Sequence, residues 1–338
     1  MQRELEGVLR DWMRAAGHAP RHCFTRLRPG PDASYRLECS DPAVLGPALE
    51  RLRAVAGPTA VTGVALPDPE LGQQVAWVAA SVAEVRREPS HVTEQVTQAL
   101  QGEVLEPLLH EDGWVLARLP DGYIGWVRDW HLALVEPQSV RRFAAHTAAR
   151  VGIPWGPVRS APRDESEPAG ETILGTRVAV LGSEHGWAEI ELPGGRRGWL
   201  PEAQLHTSAA AWPPDIPSLL RTLQRFLGVP YLWGGKSPKG FDCSGLVQFA
   251  FGLHGIALPR DADEQARSGL AVQSPAAGDL LFFGKDSVTH VAVALGPDRF
   301  LHARGEVRIN ALAPGAPGHD ADLCALWRGT RRVELPAV

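Results

Sequence analysis

Phe241-Asp242-Cys243-Ser244-Gly245-Leu246 decides the fold of the C-terminal third of the chain. It follows Tyr231-Leu232-Trp233-Gly234-Gly235, a glycine-rich approach segment. It opens an apolar pattern at helical spacing, with Leu246, Phe249, Ala250 and Leu253 at i, i+3, i+4 and i+7. Gly255 stands where such a helix stops. Cys243 therefore sits in, or just before, the first turn. Unpaired backbone N–H groups and the helix dipole favour a thiolate over a thiol there. A buried structural cysteine gains nothing from that position.

A nucleophile needs a base, and the base needs a group that orients it. Thr289–Leu295 and Arg299–Ala303 read as strands, with Gly296-Pro297-Asp298 as the turn between them. A three-residue loop sets Leu295 opposite Arg299 and Ala292 opposite His302. His290 then shares a face with His302, one diagonal away, about 7–8 Å backbone to backbone. A four-residue loop without a bulge puts the two histidines on opposite faces. The sequence permits either register.

Taken together, Tyr-x-Trp-Gly-Gly, Phe-Asp-Cys-Ser-Gly-Leu, the strand-borne His290 and the second His302 resemble the NlpC-type cell-wall cysteine peptidases. The resemblance covers roughly residues 213–335. It implies a circularly permuted papain-like fold, with Cys243 as nucleophile and His290 as general base and acid. It further implies that His302 orients His290 and that Tyr231 contributes to the oxyanion hole.

The chain has 338 residues, enough for two to three domains, and 44% hydrophobic content, ordinary for globular proteins. A net charge of −5 offers no basic face to nucleic acid. The four cysteines, Cys23, Cys39, Cys243 and Cys324, show no Cys-x-x-Cys spacing and no metal-ligand pattern. Cys23 and Cys39 can form a disulfide or remain two small buried thiols. A zinc site built from Cys243, His290 and His302 lacks an evident fourth ligand, so neither metal nor cofactor is expected. Met1–Glu6 carries charge and lacks an apolar h-region, and no apolar run is long enough to span a bilayer. A cytoplasmic protein is the expectation.

Residues 1–72 read as a small α/β unit. Its helical stripe is Leu5, Val8, Leu9 and Trp12, and strands Cys23–Arg28 and Ser34–Cys39 precede a second helix Val44–Ala56. From Gln74 short strands and turns take over, and a repeat emerges. Gly113-Trp114 and Gly125-Trp126 are spaced like Gly186-Trp187 and Gly198-Trp199, and Leu119-Pro120-Asp121-Gly122 matches Leu192-Pro193-Gly194-Gly195. Each copy looks like a bacterial SH3-like barrel, at 73–136 and 137–206. The first carries an expected helical insertion over Ser90–Leu100, with Ser90 as its cap. The repeated tryptophans read as barrel core. A linker is expected at His206–Pro217, then the peptidase domain within 207–338. The expected fold class is thus α+β: a permuted papain-like domain after two SH3-like barrels and an N-terminal α/β unit.

Tyr123 stands where the second copy has Arg196, so the repeat does not demand an aromatic there. One reading is a solvated strand residue. Two barrels before an NlpC-type domain also resemble the γ-D-glutamyl-L-diamino acid endopeptidases that recycle wall peptides. For Tyr123, in Asp121-Gly122-Tyr123-Ile124-Gly125-Trp126, this implies closing one end of the substrate cleft.

Asp242 can cap the helix, although its charge opposes thiolate formation. The same resemblance implies that Asp242, with Ser244, binds the free amine of an N-terminal L-alanine. Trp233 either lines the cleft or packs against the helix. Arg260 and Asp261, in Leu258-Pro259-Arg260-Asp261-Ala262, shape the pocket or pair with each other, and Ala262 replaces the family's usual hydroxyl residue. His254 is expected to face solvent near the helix end. The implied protein is a cysteine peptidase cutting L-alanyl-γ-D-glutamyl-diamino acid peptides released from murein. An acyltransferase or amidase on the same fold, and a non-catalytic wall-binding protein, are the rivals.

Overall fold

The computed structural model describes residues 1–207 and 212–335, and the chain divides into two compact units. The first holds 1–77, 86–93 and 103–140; the second holds 78–85, 94–102 and 141–338. Two short segments within the span expected for the first barrel thus belong with the C-terminal half.

In the first unit, helices Gln2–Ala15 and Pro42–Ala56 cover a three-stranded sheet, Thr25–Pro29, Tyr35–Cys39 and Val61–Ala65. The first pair is antiparallel; the second is parallel, as a helical crossover requires. Asp41 caps the second helix by accepting from the Ala43 N–H at 2.9 Å, with Pro42 in the first turn. Leu5, Leu9, Leu37, Ala48, Leu52 and Val61 close the core. Val104–Glu111, Trp114–Arg118 and Ile124–Arg128 then form an antiparallel meander. Its first turn, Asp112-Gly113, has both residues at positive φ, 49° and 75°, the geometry of the tightest hairpin loop.

The repeat returns in the second unit. Arg177–Glu184, Trp187–Glu191 and Arg197–Pro201 pair in the same order, and His185-Gly186 repeats the turn at φ 51° and 83°. The cores differ. Trp114 and Trp126 are buried with Leu108, Leu116 and Ile124, as expected. Trp187 and Trp199 are only half-buried, and Val158, Val178, Ile190 and Leu200 fill the second core.

Three expectations fail here. The helix over Ser90–Leu100 is a turn followed by a strand, Gln95–Leu100, in which Gln95–Ala99 are all buried. A helix, Pro137–His146, occupies the start of the 137–206 span expected to be the second barrel. The expected linker has residues 208–211 outside the described residues, and its remainder is tied down: Trp212 is buried in the C-terminal core.

That C-terminal core lies between the helix Cys243–Leu253 and one face of a six-stranded sheet. The strand order is Leu270–Val272, Trp327–Arg332, Leu280–Phe283, His290–Ala294, Arg299–Arg304, Glu306–Ala311. Leu246, Val247, Phe249 and Ala250 meet Leu280, Phe282, Val291, Val293 and Leu301. From Cys243 to Phe251 every residue of the helix is buried, so its apolar residues are not confined to one face. It ends at Leu253, and Gly255 follows at φ 78°. Among the described residues no helix is long and apolar enough to cross a membrane.

Candidate active site

The approach segment and the cysteine helix meet backbone to backbone. The Asp242 N–H donates to the Gly235 carbonyl at 3.0 Å, and a Cβ on Gly245 would fall 2.0 Å from that same oxygen. A side chain at 245 would therefore displace the helix N-terminus from its support. This contact sets Cys243, 8% exposed, at the head of the helix.

The histidines come from the register that the shorter loop dictates. Val293 pairs with Leu301, Ala294 with Phe300, and the Leu295 N–H donates to the Arg299 carbonyl at 2.8 Å. His290 and His302 thus share a face, with His290 Nε2 2.8 Å from His302 Nδ1. His302 Nε2 is in turn 3.0 Å from Asn310 Oδ1. The Asn310 amide nitrogen donates to the Gly318 carbonyl at 2.6 Å, which fixes the amide with its oxygen toward His302. The proton positions follow in sequence. His302 carries its proton on Nε2 and donates to Asn310; its Nδ1 accepts from His290 Nε2–H; His290 Nδ1 is left as the basic nitrogen.

The N–H of Val291, the residue after His290, points at the Cys243 sulfur, as does that of Ser244. Burial, and after it the Asp242 carboxylate, nevertheless push the thiol up to about 11. Burial, and after it the neighbouring His302, pull His290 down to about 3. At rest the pair is therefore thiol and neutral imidazole, not the thiolate that the helix terminus alone suggested. The helix dipole stabilises an anion by about 0.3–1 kcal/mol, less than the desolvation it must overcome.

Asp242 is more heavily engaged than a lone carboxylate. It caps the helix through the Gly245 N–H at 2.6 Å and accepts from Ser244 Oγ at 3.3 Å. Arg260, 2% exposed, grips it with both terminal nitrogens, Nη2 to Oδ2 at 2.5 Å and Nη1 to Oδ1 at 3.1 Å. Arg260 also donates from Nη1 to Ser244 Oγ at 2.9 Å and from Nε to Thr97 Oγ1 at 2.6 Å. Asp261, half-buried, heads the turn Ala262–Gln265.

Tyr231 is half-buried, and its hydroxyl is pushed up to about 12 by burial and then by Cys243 and Asp242. It stays protonated and remains a donor beside them. Trp233 is 62% exposed, so it does not pack against the helix; its indole N–H donates to Glu94 at 2.9 Å. Tyr123 belongs to the other unit, where its ring meets His22 edge-on at 6.0 Å.

Sequence reasoning missed Thr97, which steadies Arg260, and Asn310, which orders the imidazoles. The β-branched pair Val96-Thr97 signals a strand that could have brought Thr97 into view. His254 also departs from expectation. It is 2% exposed, its Nδ1 donating to the Pro213 carbonyl at 2.6 Å and its Nε2 accepting from Thr222 Oγ1 at 2.9 Å. The linker covers the helix end that was expected to face water.

These histidines make stability depend on pH. Burial holds His254, His290 and His302 below the ordinary histidine value. The unfolded chain takes up protons below pH of about 6.5 that the folded chain refuses, so stability is complete above that value and falls as pH drops. For His290 alone the loss between pH 6.5 and 5 is about 2 kcal/mol. Urea midpoints measured at pH 7.5 and 5 should show this fall; equal midpoints would contradict it.

Three family models match the chain: NlpC/P60 family at 228–320, bacterial dipeptidyl-peptidase Sh3 domain at 85–132, and bacterial SH3 domain at 156–206. A γ-D-glutamyl-L-lysine dipeptidyl-peptidase of Bacillus cereus is 31% identical over 256 residues, 70% of this chain and 74% of the relative. That of Bacillus subtilis is 30% identical over 247 residues, 69% and 80% of the two chains. A crystal structure of an NlpC/P60 family protein from Bacillus cereus superposes with a TM-score of 0.65 at 27% identity, covering 78% of this chain and all of that one.

Proposed function

The chain belongs to the NlpC/P60 family, with two bacterial SH3 domains ahead of the family domain, and on that premise we propose that it is a cysteine peptidase for wall-derived peptides. The bond cut is the one between γ-D-glutamate and the following diamino acid, and L-alanine with a free amine stands at the N-terminus. The carrying observation is the chain His290–His302–Asn310, which leaves one basic imidazole nitrogen on the residue adjoining the N–H that faces the sulfur. We read the domain as a permuted papain-like fold and the site as cytoplasmic in its use, on released fragments.

The thiol proton passes to His290 Nδ1 as the sulfur attacks the γ-glutamyl carbonyl, so neither charge is buried alone. The developing oxyanion takes a hydrogen bond from Tyr231. His290 gives its proton to the departing amine, leaving a thioester on Cys243. A water molecule, its proton drawn by His290, then attacks the thioester and restores the thiol. Asp242 Oδ2 and Ser244 Oγ receive the substrate amine, Trp233 bounds the cleft, and Arg260 holds Asp242 in place, with Asp261 beside it.

Because Arg260 already neutralises Asp242, a substrate lacking the amine does not strand an unpaired buried charge. Acetylating L-Ala-γ-D-Glu-L-Lys at its N-terminus should therefore lower kcat/KM about ten- to a hundredfold, the value of one charge-assisted hydrogen bond. Chromatography of the released dipeptide reads this out. Equal turnover of both peptides would refute the free-amine reading, and no cleavage of either would refute the peptidase.

A further inference from the structure

A cavity of about 420 Å³ opens in the C-terminal domain between the turn that follows Arg260 and the sheet edge. Its apolar lining includes Ala266, Val272, Phe282, Val288 and Trp327. Three of its lining residues neighbour residues of the reacting site. Val288 stands two residues before His290, Phe282 pairs with Val291, whose N–H faces the sulfur, and Ala266 follows Gln265, which donates to the Ser244 carbonyl at 3.1 Å. The groups assigned to the amine, Asp242 and Ser244, do not line it.

The polar part of the lining is one-sided. It contains two guanidinium groups, Arg328 and Arg331, and no carboxylate. Arg328 is engaged, donating to the carbonyls of Gly284 and Lys285. Arg331 is half-buried in the strand between Leu270–Val272 and Leu280–Phe283, and no described carboxylate pairs with it. An unmatched guanidinium in an apolar cavity attracts an anion.

We propose that this cavity receives the leaving amino acid and that Arg331 binds its free α-carboxylate. The inference rests on the peptidase reading and extends it. Substrate would be recognised at both ends, by the amine on one side of the scissile bond and the carboxylate on the other. The aliphatic part of the leaving side chain lies along Phe282 and Val288, with Trp327 as the outer wall. The enzyme then prefers a tripeptide that ends at the diamino acid over one whose carboxylate is masked.

The test compares L-Ala-γ-D-Glu-L-Lys with its C-terminal amide. The wild-type protein should cut the acid about ten- to a hundredfold faster in kcat/KM, the value of one ionic hydrogen bond. Arg331→Gln should bring the ratio near one, and Arg331→Lys should restore part of it; an unchanged ratio in Arg331→Gln, or a ratio near one in the wild type, overturns the proposal. Saturation-transfer NMR with L-lysine and L-lysinamide separates the two readings without turnover. If lysine binds, lysinamide does not, and Arg331→Gln abolishes binding, the carboxylate site stands even where neither peptide is cleaved. If both ligands bind equally, the site falls while a cleaving enzyme remains a peptidase.

Discussion

Cys243→Ala should remove all measurable hydrolysis of L-Ala-γ-D-Glu-L-Lys while leaving the fold intact. The sulfur is the sole atom of the proposed site able to form the thioester, and alanine fits the buried helix head without strain. Loss of a nucleophile that acts as a unit with its base costs on the order of 10⁴–10⁶ in kcat. The support behind His290 can be graded in the same assay. Asn310→Asp keeps an oxygen for His302 Nε2–H and should retain part of the activity. Asn310→Leu frees His302 to put its proton on Nδ1, where it opposes the His290 N–H, and should cost about 10²–10⁴, the worth of a positioned general base. Full activity in Cys243→Ala, or equal activity in the two Asn310 variants, would break the mechanism at the corresponding link.

Arg260→Met should be the most destabilising substitution near the site. The guanidinium is 2% exposed and meets Asp242, Ser244 and Thr97 through four hydrogen bonds. Methionine preserves much of the volume but strands a buried carboxylate, which costs about 3–5 kcal/mol. The added Asp242→Asn removes that charge, so the double variant should regain a good part of the loss. Urea denaturation of the three proteins measures both steps. A single variant within 1 kcal/mol of wild type, at the ~±0.5 kcal/mol scale of ordinary surface changes, would show that the pair carries little weight.

What the sequence disclosed was local chemistry. Phe241–Leu246 set a cysteine at a helix head, and the turn Gly296-Pro297-Asp298 offered the register that brings His290 to His302. The partners of those groups were harder to see, because they come from far along the chain. Thr97 lies 163 residues from Arg260, on a strand buried on both faces. Burial on both faces erases the alternation that marks a half-exposed strand, and Val92, Val96 and Ala99 fall near helical spacing, so the stretch reads as a helix. Asp242 was legible as a cap, but its Arg260 partner depends on how the loop after the helix folds back. The charge state of Cys243 depends on three-dimensional burial, which outweighs the terminal dipole that sequence position reports. The tryptophans of the second barrel failed differently. Repetition preserved the turn, while aliphatic residues had taken over the interior.

The strand Gln95–Leu100 carries one more implication. Gln95 donates to the Trp233 carbonyl, Gln98 accepts from the Lys236 N–H, and Thr97 accepts from Arg260. A fragment beginning at residue 207 would contain every residue of the proposed thiol–imidazole chemistry yet lose the struts behind Arg260 and the approach segment. Excision along the apparent modular seam would thus trade away rigidity where the reaction needs it. Evolutionary shuffling of such a catalytic module would have to carry a piece of the barrel with it or rebuild the missing brace.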